Sequence, residues 1–533
     1  MQPAIDTYQW WQTGIIYQIY PRSFQDANHD GTGDLRGIIQ RLDYLEWLGV
    51  QAIWLSPVFP SPMDDFGYDI EDYTGIAPLF GSMDDFDELL HRTHQRGMKL
   101  ILDLVPNHTS YRHPWFQEAR SSPDNPKRDW YIWKEARPDG PDRRPNNWQS
   151  VFGGSAWEWD DASQQYYYHA FLKEQPDLNW RNPEVQRAML DVMRFWLDKG
   201  VDGFRIDVVW HLGKDELFRD NPPNPAYQAG ESEEKRYLRV YSEDQSFVHT
   251  LIAQMRALTN RYDNRLLIGE IYLPIDRLVA YYGHEQSGVH LPFNFQLVTT
   301  DWQVDKIYAL INQYEGSLAP DHWPNWVLGN HDQPRVVSRT GEAQARLAAV
   351  LLLTLRGTPI LYYGDEIGMH DMAVPPERQQ DMKNTASETN RDPQRTPLQW
   401  SDEPFAGFST QEPWLPVAND YAQHNVAQQR NDPDSMVSFY RRLIQLRQQE
   451  PALQVGTFVP RGLHGKLMVY DRVHPDSTLR VLLNFGTESA SYALADDSSG
   501  EVLFAWSAAE MPRVEGSVHV AGEEAVVIRL EHS

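Results

Sequence analysis

Residues 99–108 read Lys-Leu-Ile-Leu-Asp-Leu-Val-Pro-Asn-His, a short apolar run that ends in polar side chains. The same pattern returns at 201–207 (Val-Asp-Gly-Phe-Arg-Ile-Asp), 266–270 (Leu-Leu-Ile-Gly-Glu) and 326–332 (Trp-Val-Leu-Gly-Asn-His-Asp). Each apolar run is typical of a buried strand. Carboxylates, an arginine and histidines are costly to place near a core, so their position at the ends of several strands indicates that they converge on a ligand.

Apolar runs alternate with helical patterns over most of the chain. Eight runs predict strands at 15–20, 51–55, 99–105, 201–208, 266–271, 293–296, 326–329 and 360–363. Helices are predicted between them, including 84–96, 183–199, 246–261 and 343–356. Eight strands that alternate with helices favour an α/β fold, a parallel (β/α)8 TIM barrel built from residues 1–108 and 181–454.

Two further parts are predicted around this barrel. The stretch 109–180 separates the third and fourth strands and is too long for a structureless loop, so we expect an inserted subdomain over the barrel mouth. A second irregular stretch, 370–428, is expected to add another wall to the mouth. After a helix at 435–449, short alternating runs predict a small antiparallel, β-sandwich-like domain over 455–533.

Composition limits the partners of the chain. Of 533 residues 41% are hydrophobic, enough for a large core, and the net charge is −27. Nucleic acids and anionic membranes need clustered Lys and Arg, so neither is predicted as a partner. There is no cysteine, which excludes disulfides, a thiolate nucleophile and a cysteine zinc site. Residues 1–12 lack the basic and apolar regions of a signal peptide, so a cytoplasmic protein is expected.

The clusters contain the groups that cleave a glycosidic bond with retention, which needs two carboxyl groups about 5 Å apart, a nucleophile and an acid/base. Asp207 and Glu270 are the candidates. Arg205 stands two residues before Asp207, so on a strand both face one side and the guanidinium favours an ionised nucleophile. The apolar run before Glu270 would raise its pKa and keep it protonated. Asp332, beside His331, could favour positive charge in the transition state.

Each of these residues alone is more often part of a structural ion pair or a loop cap. Four clusters in order on a barrel pattern favour the catalytic interpretation instead. Aromatic runs in the predicted insert, 157–159 (Trp-Glu-Trp) and 166–169 (Tyr-Tyr-Tyr-His), either line a sugar-binding mouth or form the core of the insert. The second interpretation is favoured, because most aromatic residues fill core and interface space.

The four clusters resemble the signature regions of the α-amylase family, and the likeness covers nearly the whole chain. Further stretches resemble its α-glucosidase and oligo-1,6-glucosidase branch. They are the opening stretch from Trp10 to Phe24, 66–69 (Phe-Gly-Tyr-Asp), 152–157 (Phe-Gly-Gly-Ser-Ala-Trp), 175–180 (Gln-Pro-Asp-Leu-Asn-Trp), and Arg391-Asp392 followed by 395–400 (Arg-Thr-Pro-Leu-Gln-Trp). Leu398 occupies a position where the branch usually has Met.

The resemblance implies the following roles: Asp207 as nucleophile, Glu270 as acid/base and Asp332 as transition-state stabiliser. It implies five substrate-binding residues: Asp69, His108, Arg205, His331 and Arg391. Among them Asp69 and Arg391 would pair over the 4-hydroxyl of the nonreducing-end glucose and close the pocket at one sugar unit. Arg395 could take the place of Arg391, and Asp103 is expected to be structural.

Residues 26–34 read Asp-Ala-Asn-His-Asp-Gly-Thr-Gly-Asp, with oxygen donors at alternate positions that suit Ca²⁺ or Mg²⁺. An EF-hand is excluded, because Gly37 stands where its bidentate Glu belongs. The resemblance implies a single structural cation held by Asp26, Asn28, Asp30, the Thr32 carbonyl and Asp34. The alternative is an Asp/Asn/Gly turn without metal.

The sequence therefore predicts a retaining, exo-acting α-glucosidase that releases glucose from short oligosaccharides, acting as a monomer or homodimer. A transglucosidase or a trehalose synthase-like isomerase is the main alternative, because the same glucosyl-enzyme serves both. A non-catalytic barrel protein is a third interpretation, disfavoured because all three carboxylates are retained. Val208 follows the nucleophile, and by the resemblance valine there accompanies α-1,6 rather than α-1,4 preference, although it is also an ordinary strand residue.

Overall fold

A computed structural model describes residues 7–138, 143–228, 230–231, 233–381, 390–494, 499–506 and 513–531. Strands β1–β19 and helices α1–α14 are numbered in chain order. Eight parallel strands form the central sheet: β1 Ile16–Ile19, β2 Ala52–Leu55, β3 Lys99–Leu104, β7 Gly203–Ile206, β8 Leu266–Ile271, β9 Leu291–Asn294, β10 Asn325–Val327 and β11 Thr358–Tyr362. Their order is β10-β11-β1-β2-β3-β7-β8-β9, with every neighbouring pair parallel.

The two ends of this sheet, β9 and β10, are joined by one side chain. The Asn294 amide donates to Asn325 Oδ1 at 3.1 Å, and Asn325 Nδ2 donates to the Pro292 carbonyl. Pro292 has no N–H and cannot contribute a full ladder bond, so the Asn325 amide satisfies backbone groups in its place. The sheet is therefore closed into the predicted barrel, and that fold class is confirmed.

Helices surround the barrel, and capping residues mark the ends of several of them. They are α1 Trp10–Thr13, α2 Leu35–Leu48, α3 Met83–Gln95, α4 Pro114–Ser121, α5 Pro183–Lys199, α6 Phe247–Thr259, α7 Ile275–Leu278, α8 Gln296–Thr299, α9 Val304–Ser317, α10 Val336–Thr340, α11 Glu342–Thr354, α12 Val426–Gln429, α13 Met436–Gln449 and α14 Pro451–Val455. In α5, Asn182 caps the start and Gly200, with φ 103°, ends the helix. No helix within the described ranges is long and apolar enough to cross a membrane.

Two strand predictions were misplaced for local reasons. The sixth strand, predicted at 293–296, runs over Leu291–Asn294, because Pro292 sits inside it and weakened the sequence signal. The fourth strand, predicted to reach residue 208, ends at Ile206. There the chain turns sharply, since Val208 has a φ of 37°. A β-branched residue in that conformation cannot be recognised from the apolar pattern.

The inserted subdomain after β3 contains a three-stranded antiparallel sheet in the order β4-β6-β5. The strands are β4 Trp133–Lys134, β5 Trp157–Asp160 and β6 Gln165–Tyr168. Trp157 pairs with Tyr168 across β5 and β6, and both side chains are buried. Trp159, on the other face, is exposed. The favoured core interpretation of these aromatic runs is thus correct for Trp157 and Tyr168.

The C-terminal part is antiparallel, as predicted. A six-stranded sheet has the order β12-β13-β14-β19-β16-β17, and β15 pairs with β18. Their bounds are β12 Thr457–His464, β13 Leu467–His474, β14 Ser477–Asn484, β15 Ala490–Ala493, β16 Ser499–Ala505, β17 Arg513–Glu515, β18 Ser517–Val520 and β19 Ala525–Glu531. Arg472 anchors this sheet to the barrel through the Gly456 carbonyl at 2.9 Å and the Thr354 carbonyl. The three domain bounds given above stay a prediction.

Candidate active site

Arg205 lies at the centre of the site, near the carboxyl end of β7. Its Nη1 contacts Asp103 Oδ1 at 2.8 Å and Asp207 Oδ1 at 2.7 Å, while its Nη2 contacts Glu270 Oε2 at 2.7 Å. The guanidinium is fully buried. Gly203 allows β7 and β8 to approach this closely, because a Cβ at that position would lie 2.3 Å from the Leu266 carbonyl.

The sharp turn after β7 joins the two candidate catalytic carboxyls. The positive φ of Val208 aims its N–H at Glu270, and the hydrogen bond to Oε2 measures 2.8 Å. One guanidinium contacts both Asp207 and Glu270, at 2.7 Å each, so the two carboxyls lie close together, as a retaining mechanism requires. Strain in a non-glycine backbone at such a point is typical of functional sites.

The protonation of this pair follows from burial and charge. Burial raises the pKa of both Asp207 and Glu270, and the Arg205 guanidinium opposes the rise. Asp103 is a third carboxyl on the same cation, so ionisation of all three would leave excess negative charge in a buried site. Burial and mutual repulsion therefore favour a proton on the pair.

His331 is fixed between two tyrosine rings. Tyr68 stacks on it at 5.3 Å and Tyr20 on the other side at 5.8 Å, with interplanar angles of 4° and 17°. Gln18 Nε2 approaches His331 Nδ1 at 2.9 Å, so Nε2–H is the tautomer that faces Asp332 Oδ2 at 3.1 Å. Burial lowers the pKa of His331 to about 3. The ring is a neutral hydrogen-bond donor at physiological pH.

Asp332 faces the cavity and is surrounded by positive and polar groups. Arg395 Nη2 lies 2.8 Å and Arg391 Nη1 3.2 Å from Asp332 Oδ1. Burial would raise the pKa of Asp332, but His331, Arg395 and Arg391 together hold it below its usual value. The carboxylate is thus ionised. Of the two arginines that the sequence left open, both contact Asp332, but only Arg391 lines the cavity, and Arg395 is 1% exposed.

Arg391 closes one end of the cavity. Its Nη2 binds Asp65 Oδ1 at 2.8 Å, and its Nε binds Asp381 Oδ2 at 2.8 Å. The guanidinium also lies over the Phe152 ring, 5.6 Å from its centroid. Asp65 and Asp381 were missed in the sequence. Asp65 stands four residues before the predicted Asp69 in an aspartate-rich stretch. That stretch was the available signal, because any of its carboxylates could have been the partner of Arg391.

The predicted pair of Asp69 with Arg391 is wrong. Asp69 is fully buried, and its carboxylate accepts hydrogen bonds from Ser61 Oγ at 2.8 Å, the Asp64 amide at 2.7 Å and the Asp65 amide at 3.0 Å. These bonds hold a loop in which Phe66 has a φ of 51°. Arg391 is bound instead by Asp65, Asp332 and Asp381. Asp69 therefore shapes the loop that presents Asp65.

His108 lines the cavity, but both of its ring nitrogens have partners. Asn107 Nδ2 donates to Nδ1 at 3.1 Å, and Nε2 lies 3.0 Å from the Tyr68 carbonyl. Asn107 is held in turn by Asp177 Oδ2 at 2.9 Å and by Lys214 Nζ at 2.7 Å. Asp177 belongs to the 175–180 marker stretch, so that stretch positions His108 from behind.

These residues surround a cavity of about 480 Å³. It is lined by Asp65, Tyr68, His108, Val151, Phe152, Phe171, Asp207, Val208, Trp210, His211, Arg239, Glu243, Glu270, Tyr272, His331, Asp332, Gln333 and Arg391. A cavity of similar size, about 500 Å³, lies around Trp11 and Trp323 at the other end of the barrel and contains none of the four polar clusters. The candidate site is therefore identified by its polar residues rather than by the size of its cavity. Arg205 lies beneath its floor and Asp69 outside its lining.

The predicted cation loop, 26–34, lies apart from this cavity. Asp26 accepts from the His29 amide at 2.7 Å and the Gly31 amide at 2.9 Å. Asp34 caps α2 through the Gly37 amide at 2.7 Å and accepts two further loop amides. Within the described residues, no three acidic or histidine side chains gather as metal ligands. The oxygen donors suit a hard cation, and the single structural cation stays a prediction.

Comparison with known proteins places this geometry in a family. Residues 18–456 match the family model described as alpha amylase, catalytic domain. A probable alpha-glucosidase from Rhizobium meliloti is 40% identical over 507 residues, which cover 91% of each chain. An oligo-1,6-glucosidase from Parageobacillus thermoglucosidasius is 40% identical over 532 residues, covering 91% of this chain and 92% of that protein.

A solved structure agrees with the sequence matches. The crystal structure of an alpha-glucosyl transfer enzyme superposes with a TM-score of 0.92 at 38% identity, covering 98% of this chain and 100% of that one. Both sequence relatives carry names of the branch that the motifs indicated. Family, barrel and polar clusters agree, and the chain belongs to the alpha-amylase family of glycoside hydrolases.

Proposed function

We propose that this protein is a retaining, exo-acting α-glucosidase that releases glucose from the nonreducing end of short α-glucosides. The observation that supports this most strongly is the pair of carboxyls, Asp207 and Glu270, on one buried arginine at the bottom of a cavity whose end is closed by Arg391. A paired nucleophile and acid at short spacing is the arrangement for double displacement.

In the first displacement, Asp207 attacks the anomeric carbon and the bond from that carbon to the leaving oxygen breaks. Glu270 gives its proton to the leaving oxygen, so a neutral alcohol departs and a glucosyl ester remains on Asp207. The proton shared by the pair resides on Glu270 when substrate is bound. Arg205 stabilises the ionised Asp207, which its Nη1 contacts at 2.7 Å.

In the second displacement, a water attacks the same carbon and Glu270 takes the proton from it. The bond to Asp207 breaks, and glucose leaves with its original α configuration. Positive charge builds up on the sugar ring in both steps. The ionised Asp332 and the neutral donor His331 face the cavity where that charge and the sugar hydroxyls would lie.

The closed end of the cavity supports exo action. The Asp65–Arg391 ion pair, at 2.8 Å, blocks the side on which a longer chain would extend past the nonreducing glucose. Arg391 and Asp65 would instead hydrogen-bond the terminal hydroxyls of one glucose. This assigns to Asp65 the role that was predicted for Asp69.

Transglucosylation is the second candidate. It uses the same glucosyl-enzyme but gives the sugar to an acceptor hydroxyl instead of water. The observation that favours it is the high structural similarity to an alpha-glucosyl transfer enzyme, at a TM-score of 0.92. The balance of the two reactions depends on how the open end of the cavity holds an acceptor.

Three further properties are proposed with this function. A single structural Ca²⁺ or Mg²⁺ binds the 26–34 loop, supported by its alternating oxygen donors. The protein acts in the cytoplasm, in keeping with its lack of cysteine. It works as a monomer or homodimer on a neutral substrate, in keeping with a net charge of −27.

Two variants and one spectrum test the mechanism. Asp207→Asn should abolish turnover of maltose and isomaltose, whereas Asp301→Asn, at a site with a 69% exposed side chain, should not. Glu270→Gln should lose most activity on disaccharides but retain more on an activated aryl glucoside. Proton NMR during the first turnovers should show α-glucose. Initial release of β-glucose, or normal turnover by Asp207→Asn, would refute the double displacement.

A further inference from the structure

The cavity is also lined by groups that the proposed mechanism does not use: Trp210, Tyr272, Arg239 and Glu243. The Trp210 and Tyr272 rings contact each other with centroids 5.9 Å apart. Tyr272 stands two residues after Glu270, and Trp210 two residues after Val208, whose N–H binds Glu270. Because Glu270 must face the leaving oxygen, this end of the cavity, beside Glu270, receives the leaving group or an acceptor.

Glu243 is held rigidly over this end of the cavity. The next residue, Asp244, has a φ of 53°, and its amide donates to the Trp210 carbonyl at 2.8 Å. Its carboxylate binds Arg277 Nη2 at 2.6 Å and Tyr281 Oη at 2.7 Å. A strained non-glycine residue fixed from several sides is typical of a segment that presents a functional side chain.

The Glu243 carboxylate has acceptor capacity that the protein leaves unused. It lies 3.4 Å from His211 Nε2 and its side chain is 20% exposed. Burial raises the pKa of Glu243 to about 7, and the Arg239 guanidinium opposes the rise. A carboxylate can accept about four hydrogen bonds. The neighbouring Arg239 gives Nη2 to the Ser150 carbonyl at 3.2 Å and lines the same wall.

From this geometry we propose that Glu243 and Trp210 form the binding subsite for the leaving sugar or acceptor sugar. The ligand is polyhydroxylated: its hydroxyls bond to the Glu243 carboxylate and its C–H face packs on the Trp210 ring. An aryl aglycone offers the ring contact but no hydroxyls for Glu243. The subsite therefore discriminates sugar leaving groups from aryl ones.

The test compares two substrate types in the full-length enzyme and rests on the proposed α-glucosidase activity. In Glu243→Gln, kcat/KM for maltose and isomaltose should fall at least about tenfold, the effect of losing a charge-assisted hydrogen bond. The value for 4-nitrophenyl α-glucoside should stay within about twofold, because it makes no such bond. Glu216→Gln, at a 77% exposed side chain in the same segment, is the matched control.

A second measurement isolates the acceptor. With 4-nitrophenyl α-glucoside as donor and added glucose as acceptor, the ratio of transfer to hydrolysis should fall in Glu243→Gln. If that variant does not fold, Glu243→Asp, which keeps the charge but shortens the reach, should show the same substrate difference. Equal losses on aryl and disaccharide substrates, or no loss on disaccharides, would overturn the subsite. A wild-type enzyme inactive on every α-glucoside would instead refute the proposed function.

Discussion

The two ends of the cavity are built in opposite ways. At the closed end, Arg391 is held by Asp65, Asp381 and Asp332, so its charge and position are fixed by three carboxylates. At the open end, Glu243 lies 3.4 Å from His211 Nε2 and near the Arg239 guanidinium, and its side chain is 20% exposed. A group fixed by several partners favours one ligand geometry, whereas a group with fewer partners can bind different ligands.

The largest loss of activity is expected when the Asp65–Arg391 ion pair at the closed end is removed. Asp65→Ala removes a partner of a buried guanidinium and a proposed hydroxyl ligand, so kcat/KM on disaccharides should fall about a hundredfold to a thousandfold. Asp301→Asn, at a 69% exposed side chain, is the control and should change it little. A steady-state comparison decides the point, and near-normal activity of Asp65→Ala would show that this pair does not hold the sugar.

A smaller effect is expected at the open end from Val208. Its buried side chain lines the cavity where the leaving sugar begins. Val208→Thr should move the ratio of kcat/KM toward maltose over isomaltose by up to about tenfold, the scale of one small contact. An unchanged ratio would mean that Val208 does not influence linkage in this enzyme.

These two ends also show what the sequence could predict. The length and periodicity of the apolar runs predicted eight strands. The polar residues that follow these strands converge, because the carboxyl ends of parallel strands meet at one edge of the sheet. The convergence of Asp207, Glu270 and Asp332 on one cavity was therefore predictable, while their catalytic roles stay a prediction. The choice between Asp65 and Asp69 was not predictable, since it depends on which carboxylate the loop amides consume.

The open end was missed for a related reason. Glu243 and Trp210 lie in irregular segments that have no period, and only the fold brings them beside Tyr272. The sharp turn at Val208 likewise depends on tertiary contacts, because its N–H is held by Glu270. Long-range hydrogen bonds of this kind have no local sequence signal.

A third prediction concerns Asp69, which shapes the loop that presents Asp65 at the closed end. Burial raises the pKa of Asp69 from 3.8 to about 6. The folded protein then binds more protons than the unfolded chain, so this contribution to stability is present at low pH and is lost as pH rises between about 4 and about 6. The Tm of wild type minus that of Asp69→Asn should therefore decrease over this range. A constant or increasing difference in Tm would contradict a raised pKa for the buried Asp69 carboxyl.

The smallest effect on activity is expected from the 26–34 loop, which lies outside both ends. Removal of a bound cation by EDTA should lower Tm, because a ligand that binds only the folded state stabilises it. Values of kcat/KM at a temperature well below Tm should stay within about twofold, as the loop does not line the cavity. An unchanged melting curve, with no metal found by elemental analysis, would leave the loop as a simple turn.

In the proposed function, one end of the cavity is closed after a single glucose and the other is open. The most direct measurement follows the first products from maltotetraose and isomaltotetraose that are labelled at the reducing end. We predict unlabelled glucose and labelled trisaccharide as the first hydrolysis products, and single-glucose additions where transfer occurs. Early release of unlabelled disaccharide or labelled glucose would show that the closed end admits more than one sugar and would contradict the account.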